Sequence, residues 1–157
     1  MPPFHLQKSC GVDEFVIRLA ERPEEIDAFR ELALEYEALL PPPLRHSDVD
    51  FVPESVLVSW SAGIPSGCVA LSRLDAETAI MKRLFVRPVY RGHGIARALV
   101  ATFVDLARQQ GSLRVVLDTD REQLAAAYAL YHSIGFEECA PYGPVDYATP
   151  TFMQLRL

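Results

Sequence analysis

Cysteine is scarce in this chain. Cys10, Cys68 and Cys139 make an odd set with no CxxC pair, so a reduced, cytoplasmic setting is the expectation. The four histidines, His5, His46, His93 and His132, are scattered without ligand spacing, and no metal is expected. Positive charge is in the minority: 15 Lys and Arg stand against 21 Asp and Glu, a formal net charge of −6. Non-specific nucleic-acid binding needs the opposite balance. No apolar run approaches the ~20 residues of a membrane helix. The opening MPPFHLQKSCG lacks the apolar core of a signal peptide. Repeats and low-complexity segments are missing too.

What remains is an ordinary globular composition, 50% hydrophobic and 23% charged over 157 residues, enough for one domain with one core. Residues 1–14 read as a loose leader and 15–157 as a single domain. FVIRLA (15–20) is a first strand. A helix over 23–40 follows, with Ile26, Phe29, Ala33, Tyr36 and Leu40 at helical spacing, Pro23 and two glutamates at its start, and PPP (41–43) as its stop. Residues 44–54 form a loop with at most a short turn. SVLVSW (55–60) and GCVALSRL (67–74) are strands joined through SAGIPS, and AIMKRLFV (79–86) is a third long strand. A helix from His93 to Gln110 places Ile95, Leu99, Phe103 and Leu106 on one face. Then come a strand over 112–119, a helix over 121–134 capped by Asp120 and closed by Gly135, and two strands, FEECA and TFMQLRL. This order predicts an α/β or α+β fold with a mixed sheet.

The second long helix begins oddly. RGHGIA (91–96) offers no Ser, Thr, Asp or Asn cap and surrounds the positive end of the helix dipole with Arg91, His93 and Arg97. Such cations cost about 0.3–1 kcal/mol each. An anion held there reverses the sign, because the first N–H groups of a helix have no partner within it. Gly92 and Gly94 give close backbone approach and positive φ. The same six residues also suit a plain tight turn with solvated arginines. A Walker loop finds no match, and a GxGxxG dinucleotide turn meets Arg97 at its third glycine; Asp118 downstream keeps that option open, and Lys82 and Arg83 in the preceding strand speak against it.

LFVRPVYRGHGIARAL resembles motif A of the GNAT superfamily of N-acetyltransferases, with Arg91, Gly94 and Ala96 at its fixed positions. AAAYALYHSIGFEE resembles motif B, in which Ala127, Leu130, Tyr131, Gly135 and Phe136 fill the pattern AxxLYxxxGF. The resemblance runs from about residue 15 to the end. It implies a mixed, mostly antiparallel central sheet flanked by helices, and acetyl-CoA as co-substrate. It implies that the backbone of Leu84, Phe85 and Val86 lines the acetyl and pantetheine arm. The strand would end in a bulge that splays it from its neighbour, and the amides of Arg91, Gly92, His93, Gly94, Ile95 and Ala96 would hold the pyrophosphate.

In such a site an amine attacks a thioester carbonyl. By resemblance, the Val86 N–H is the oxyanion donor and Tyr131 lies near the sulfur. Full proton transfer from a phenol to a thiolate is uphill by about 2 kcal/mol, so a hydrogen bond to the leaving sulfur is the expected role. Many relatives carry a Glu eleven residues before the motif's Arg or Gln; here that residue is Ile80. Asp118 is the best remaining carboxylate, and a structural cap or turn role suits it equally. Motif B often has an Asn where this chain has Leu124. The acceptor, a small-molecule or peptide amine, would lie between the first helix, the loop after it and the C-terminal turn. Asp48, Asp50 and Asp146 there favour a cation, while Arg45 and His46 do the reverse. The resemblance leaves a homodimer open. The rival reading is a non-catalytic acyl-CoA-binding sensor on the same fold, supported by Ile80.

Overall fold

The computed structural model describes residues 5–8, 14–46, 52–145 and 147–157. Asp48, Asp50, Asp146 and Cys10 lie outside the described residues. Among the described residues there are eight strands: β1 (His5–Lys8), β2 (Phe15–Leu19), β3 (Ser55–Ser61), β4 (Ile64–Asp75), β5 (Thr78–Val86), β6 (Arg114–Thr119), β7 (Glu137–Glu138) and β8 (Thr151–Arg156). The helices are α1 (Pro23–Leu39), α2 (Ile95–Gln109) and α3 (Ala125–Ile134). The strands form one sheet in the order β1-β2-β3-β4-β5-β6-β8-β7. Only β5 and β6 run parallel, and α2 is the crossover such a pair requires. The mixed, mostly antiparallel sheet expected from the sequence is borne out.

The two faces of the sheet carry separate cores. The stripe Ile95, Leu99, Phe103 and Leu106 buries α2 against Met81, Val115 and Leu117, where Tyr131 and Phe136 also pack. On the other face, Phe29 and Leu32 of α1 meet Val56, Val58, Ala70 and Phe85.

Several boundaries differ from the sequence reading. The supposed leader contributes β1, which pairs antiparallel with β2 from His5↔Arg18 to Lys8↔Phe15; an extended segment there satisfies β2's outer backbone groups. Between β3 and β4 the turn is only Ala62 and Gly63, both at positive φ, the handedness that continues strand twist through a two-residue loop. α2 starts at Ile95, because Gly92 and Gly94 sit at φ +86° and +82°. Asp120 caps a separate turn: its Oδ1 accepts from the N–H groups of Glu122 and Gln123, both at 2.9 Å. The helix after it begins at Ala125. FEECA shortens to the two residues of β7.

β5 contains the irregularity that shapes the molecule. Lys82 lies opposite Ala70 and Phe85 opposite Cys68, so Arg83 and Leu84 together face Val69 alone. This is a β-bulge, and Arg83 takes φ +57° to make it. The extra residue resets the alternation of side chains. Ala79 and Met81 face α2, whereas past the bulge Phe85 joins the α1-side core and Val86 the α2-side core. On its other edge β5 pairs with β6 only from Thr78 to Ile80. Beyond that point the two parallel strands separate.

Candidate active site

A cleft of about 780 Å³ occupies the opening between the splayed strands. Its walls come from both faces: Met81 to Val86 of β5, Asp118 and Thr119 at the end of β6, Tyr36 of α1 with Leu40 just past its end, and Ala127, Leu130 and Tyr131 of α3. Val115 and Leu117 point into the α2-side core, so alternation puts Asp118 on the α1 face. Ile80, between Ala79 and Met81, shares that face and pairs with Val116.

The helix start is built as the sequence suggested. α2 has no side-chain cap, and its residue before the first turn, Gly94, is left-handed. The first helical bond runs from the Ala98 N–H to the Gly94 carbonyl at 3.1 Å. The N–H groups of Ile95, Ala96 and Arg97 therefore precede any intrahelical partner. Arg91 folds back: its Nε donates to the Val86 carbonyl at 3.0 Å, with the guanidinium over the Phe85 ring. Arg97 reaches across to Ser133 Oγ at 2.8 Å and ties α2 to α3. The Arg87 N–H bonds the Ser66 carbonyl on β4 at 2.8 Å, so the N–H of Val86, one residue earlier, turns to the opposite edge and the cleft.

Of the sequence-selected residues, Leu84, Phe85, Val86, Arg91, Ala96, Asp118 and Tyr131 all line this cleft. Gly92, His93 and Gly94 form the exposed turn beyond its wall, and the Ile95 side chain is in the core, so these four can contribute backbone groups toward a ligand. Tyr131 is 8% exposed, and its ring packs on Phe136 at 5.8 Å between centroids. Burial pushes its phenol well above the ordinary range, with Tyr36 and Asp118 adding to the effect. At neutral pH it is a hydrogen-bond donor.

Asp118 is not an open carboxylate. Tyr142 donates to its Oδ1 at 2.6 Å and Tyr147 to its Oδ2 at 2.8 Å. Thr149 meanwhile donates to Asp120 at 2.9 Å. The tail is thus pinned over the end of β6, and Tyr147 becomes part of the cleft wall. Burial, then the Asp118 charge, raises both phenols. Opposite them stands Tyr36, whose ring lies 5.6 Å from Phe85 and whose phenol is pushed up to about 12, chiefly by burial. Glu37 accepts from His46 twice, from its backbone N–H at 3.0 Å and from its ring Nδ1. None of these partnerships was legible in the sequence. Tyr36 was visible only as one member of an apolar helical stripe.

Among the described residues, no group of three or more His, Cys, Asp or Glu is arranged to hold a metal ion, and no helix is long and apolar enough to cross a membrane.

Comparison with known proteins adds to this geometry. The model of the acetyltransferase (GNAT) family matches residues 22–136, most of the chain. An IAA acetyltransferase of Azospirillum brasilense is 38% identical over 90 residues, 56% of this chain and 58% of that protein. Human N-acetyltransferase 8 is 44% identical over 77 residues, 46% of this chain and 34% of that protein. The chain therefore spans about half or less of the length of these two relatives. An uncharacterized N-acetyltransferase of Schizosaccharomyces pombe is 28% identical across 90% of this chain and 94% of its own length. In fold, the chain resembles an acetyltransferase from Streptococcus agalactiae, with TM-score 0.68, 22% identity and coverage of 91% and 98% of the two chains. It also resembles a Salmonella typhimurium protein solved with its cofactor acetyl-CoA, with TM-score 0.64, 24% identity and coverage of 90% and 93%. With two motifs on the expected elements, a bulged and splayed strand between them and a family match across both, the chain belongs to the acetyltransferase (GNAT) family.

Proposed function

We propose that this chain is an acetyl-CoA-dependent N-acetyltransferase that moves the acetyl group directly from the thioester to an amine. One observation carries the reading: β5 leaves β6 after Ile80, and the resulting slot opens toward an uncapped helix start. A pantetheine arm can occupy the freed edge of β5 as an added strand would. The amides at the start of α2 suit its pyrophosphate. Arg91, Gly92, His93, Gly94, Ile95 and Ala96 form the phosphate turn, and Leu84, Phe85 and Val86 flank the arm.

In the reaction the amine nitrogen attacks the carbonyl carbon. A C–N bond forms, the C–S bond breaks, sulfur leaves with the bonding pair, and one proton passes from the nitrogen through Asp118 to solvent. The Val86 N–H stabilises the charge growing on the carbonyl oxygen. The Tyr131 hydroxyl donates to the departing sulfur. Asp118, on the acceptor face, draws the amine toward the slot and takes up its proton through a lone pair left by its two tyrosine partners. The acceptor is a small-molecule or peptide amine and no metal takes part. The catalytic unit is a single domain to which β1 adds an outer strand, and the setting is cytoplasmic.

Calorimetry with acetyl-CoA and a thiol-release assay over an amine panel test this reading. Micromolar binding with release of free thiol supports it, and no binding at high protein concentration removes it. A sensor on the same fold would bind without turnover. Tyr131→Phe should lower kcat by roughly tenfold or more, the scale of one lost transition-state hydrogen bond, with coenzyme affinity little changed. Unaltered turnover would take Tyr131 out of the mechanism.

A further inference from the structure

The two halves of the cleft differ in chemistry. On the α1 face its wall is built from Tyr36, Leu40, Leu44, Phe85, Val145 and Tyr147. Leu40, Leu44 and Phe85 are each at most 5% exposed, so their positions are set by the core rather than by a solvated loop. Tyr36 tilts against Phe85 and forms a continuous aromatic surface with it. The carboxylate in the described wall is Asp118, and both its oxygens already accept tyrosine protons. Arg45, Lys82, Arg83 and Arg91 line the same cleft, and Glu37, just behind it, is engaged by His46.

Resting on the transferase reading above, we infer that the acceptor is an amine carried on a compact apolar or aromatic body, and that Tyr36 with Phe85 forms the wall that recognises that body. An apolar wall rewards an apolar group, by roughly a factor of 10 to 100 for one side chain's worth of buried area. A polyamine or a lysine-rich segment offers no comparable apolar body to this wall. Size points the same way. The cleft of about 780 Å³ must hold the end of the pantetheine arm as well, and what remains fits a small body.

The test compares kcat/KM, with saturating acetyl-CoA, for 2-phenylethylamine, spermidine and a short lysine-containing peptide. The expected result is a preference of about tenfold or more for 2-phenylethylamine. Tyr36→Ala should lower its kcat/KM about 30-fold, mainly through KM, while acetyl-CoA binding by calorimetry stays within about twofold. Tyr36→Phe, which keeps the wall, should retain most of the activity and guards against a folding defect in the smaller variant. Equal or better use of spermidine or the peptide, or turnover of none of the three while acetyl-CoA binds, overturns the assignment. Loss of acetyl-CoA binding by the unmodified protein would instead remove the underlying transferase reading.

Discussion

Gly94→Asp separates the ligand explanation of the α2 start from the purely structural one. Gly94 precedes the first turn at φ +82°. Asp tolerates the left-handed region better than most residues, at a cost of roughly 1 kcal/mol. Its carboxylate at a helix start that lacks a side-chain cap contributes about 0.5–1 kcal/mol in return. The two nearly cancel, so the thermal midpoint of the free protein should barely move. Coenzyme binding should behave differently. The new carboxylate takes the amides meant for the pyrophosphate and repels it. Two unit charges ~5 Å apart at an effective dielectric near 20 interact by roughly 3 kcal/mol, and solvent screening at this exposed turn reduces that to about 1.5–3 kcal/mol with the lost hydrogen bonds included. Affinity for acetyl-CoA should therefore fall about 10- to 100-fold, and less at high salt. Gly94→Ala is the control: it keeps the strain without the charge, so it should lower the midpoint more and the affinity less. Titration calorimetry and thermal unfolding on the three proteins decide the matter. An affinity for Gly94→Asp within about twofold of the parent would put the coenzyme's phosphates elsewhere and leave the uncapped helix unexplained.

Two further substitutions probe the frame around the slot. Arg87 donates from Nε and Nη2 to Glu35, both at 2.8 Å, and from Nη1 to the Pro65 carbonyl at 2.8 Å, tying the end of β5 to α1 and to β4. Glu35 is 40% exposed at its side chain, so Arg87→Ala should cost only roughly 1–2 kcal/mol in urea denaturation. Arg87 holds the Glu35 carboxyl below the usual range. Its contribution is thus full above the ordinary glutamate pKa and fades as pH falls through the depressed value. The gap between parent and variant should narrow in acid, and a gap independent of pH would contradict the assignment. At Gly67 an added Cβ would lie 2.7 Å from the Phe85 carbonyl oxygen and 3.2 Å from Leu99 Cδ1. Gly67→Ala should cost about 1–3 kcal/mol in thermal unfolding and weaken acetyl-CoA binding together with it, because the strain falls on the segment proposed to flank the pantetheine. Unchanged stability would mean that β4 can give way there without disturbing β5.

The sequence disclosed what depends on local period and local turn chemistry. α1 and α2 could be read from their apolar stripes, and the stop at Pro41 from the missing N–H and fixed φ of proline. The uncapped turn before α2 was legible because its two glycines and missing cap are features of a single short segment. The errors fall where a distant segment decides the outcome. β1 exists because β2 has an edge to pair with. α3 begins late because Asp120 and Gln123, placed correctly by capping-box spacing, close a turn of their own. Tyr142 and Tyr147 lie in a turn-rich tail with no periodicity. That both would donate to Asp118 depends on how β8 brings the tail back beside β6.

Ile80 shows the limit most clearly, and the structure changes what its identity means. A pattern centred on one strand registers an apolar residue where a carboxylate is common and suggests a lost base. In three dimensions Ile80 is paired with Val116 of the parallel strand, at the last point where β5 and β6 touch. Asp118 lies two residues further along on the same face, roughly 6.6 Å along the strand, where the slot has opened. On the proposed reading, a carboxylate there meets an acceptor that enters from the α1 side, whereas position 80 lies before the slot opens. The donors on both oxygens of Asp118 come from the tail, so the residue proposed to meet the amine also pins the tail over the cleft. Asp118→Asn should therefore disturb two properties together, loosening the tail and weakening amine capture, while leaving the coenzyme half of the cleft intact. A loss confined to acetyl-CoA affinity would be incompatible with its position on the acceptor face.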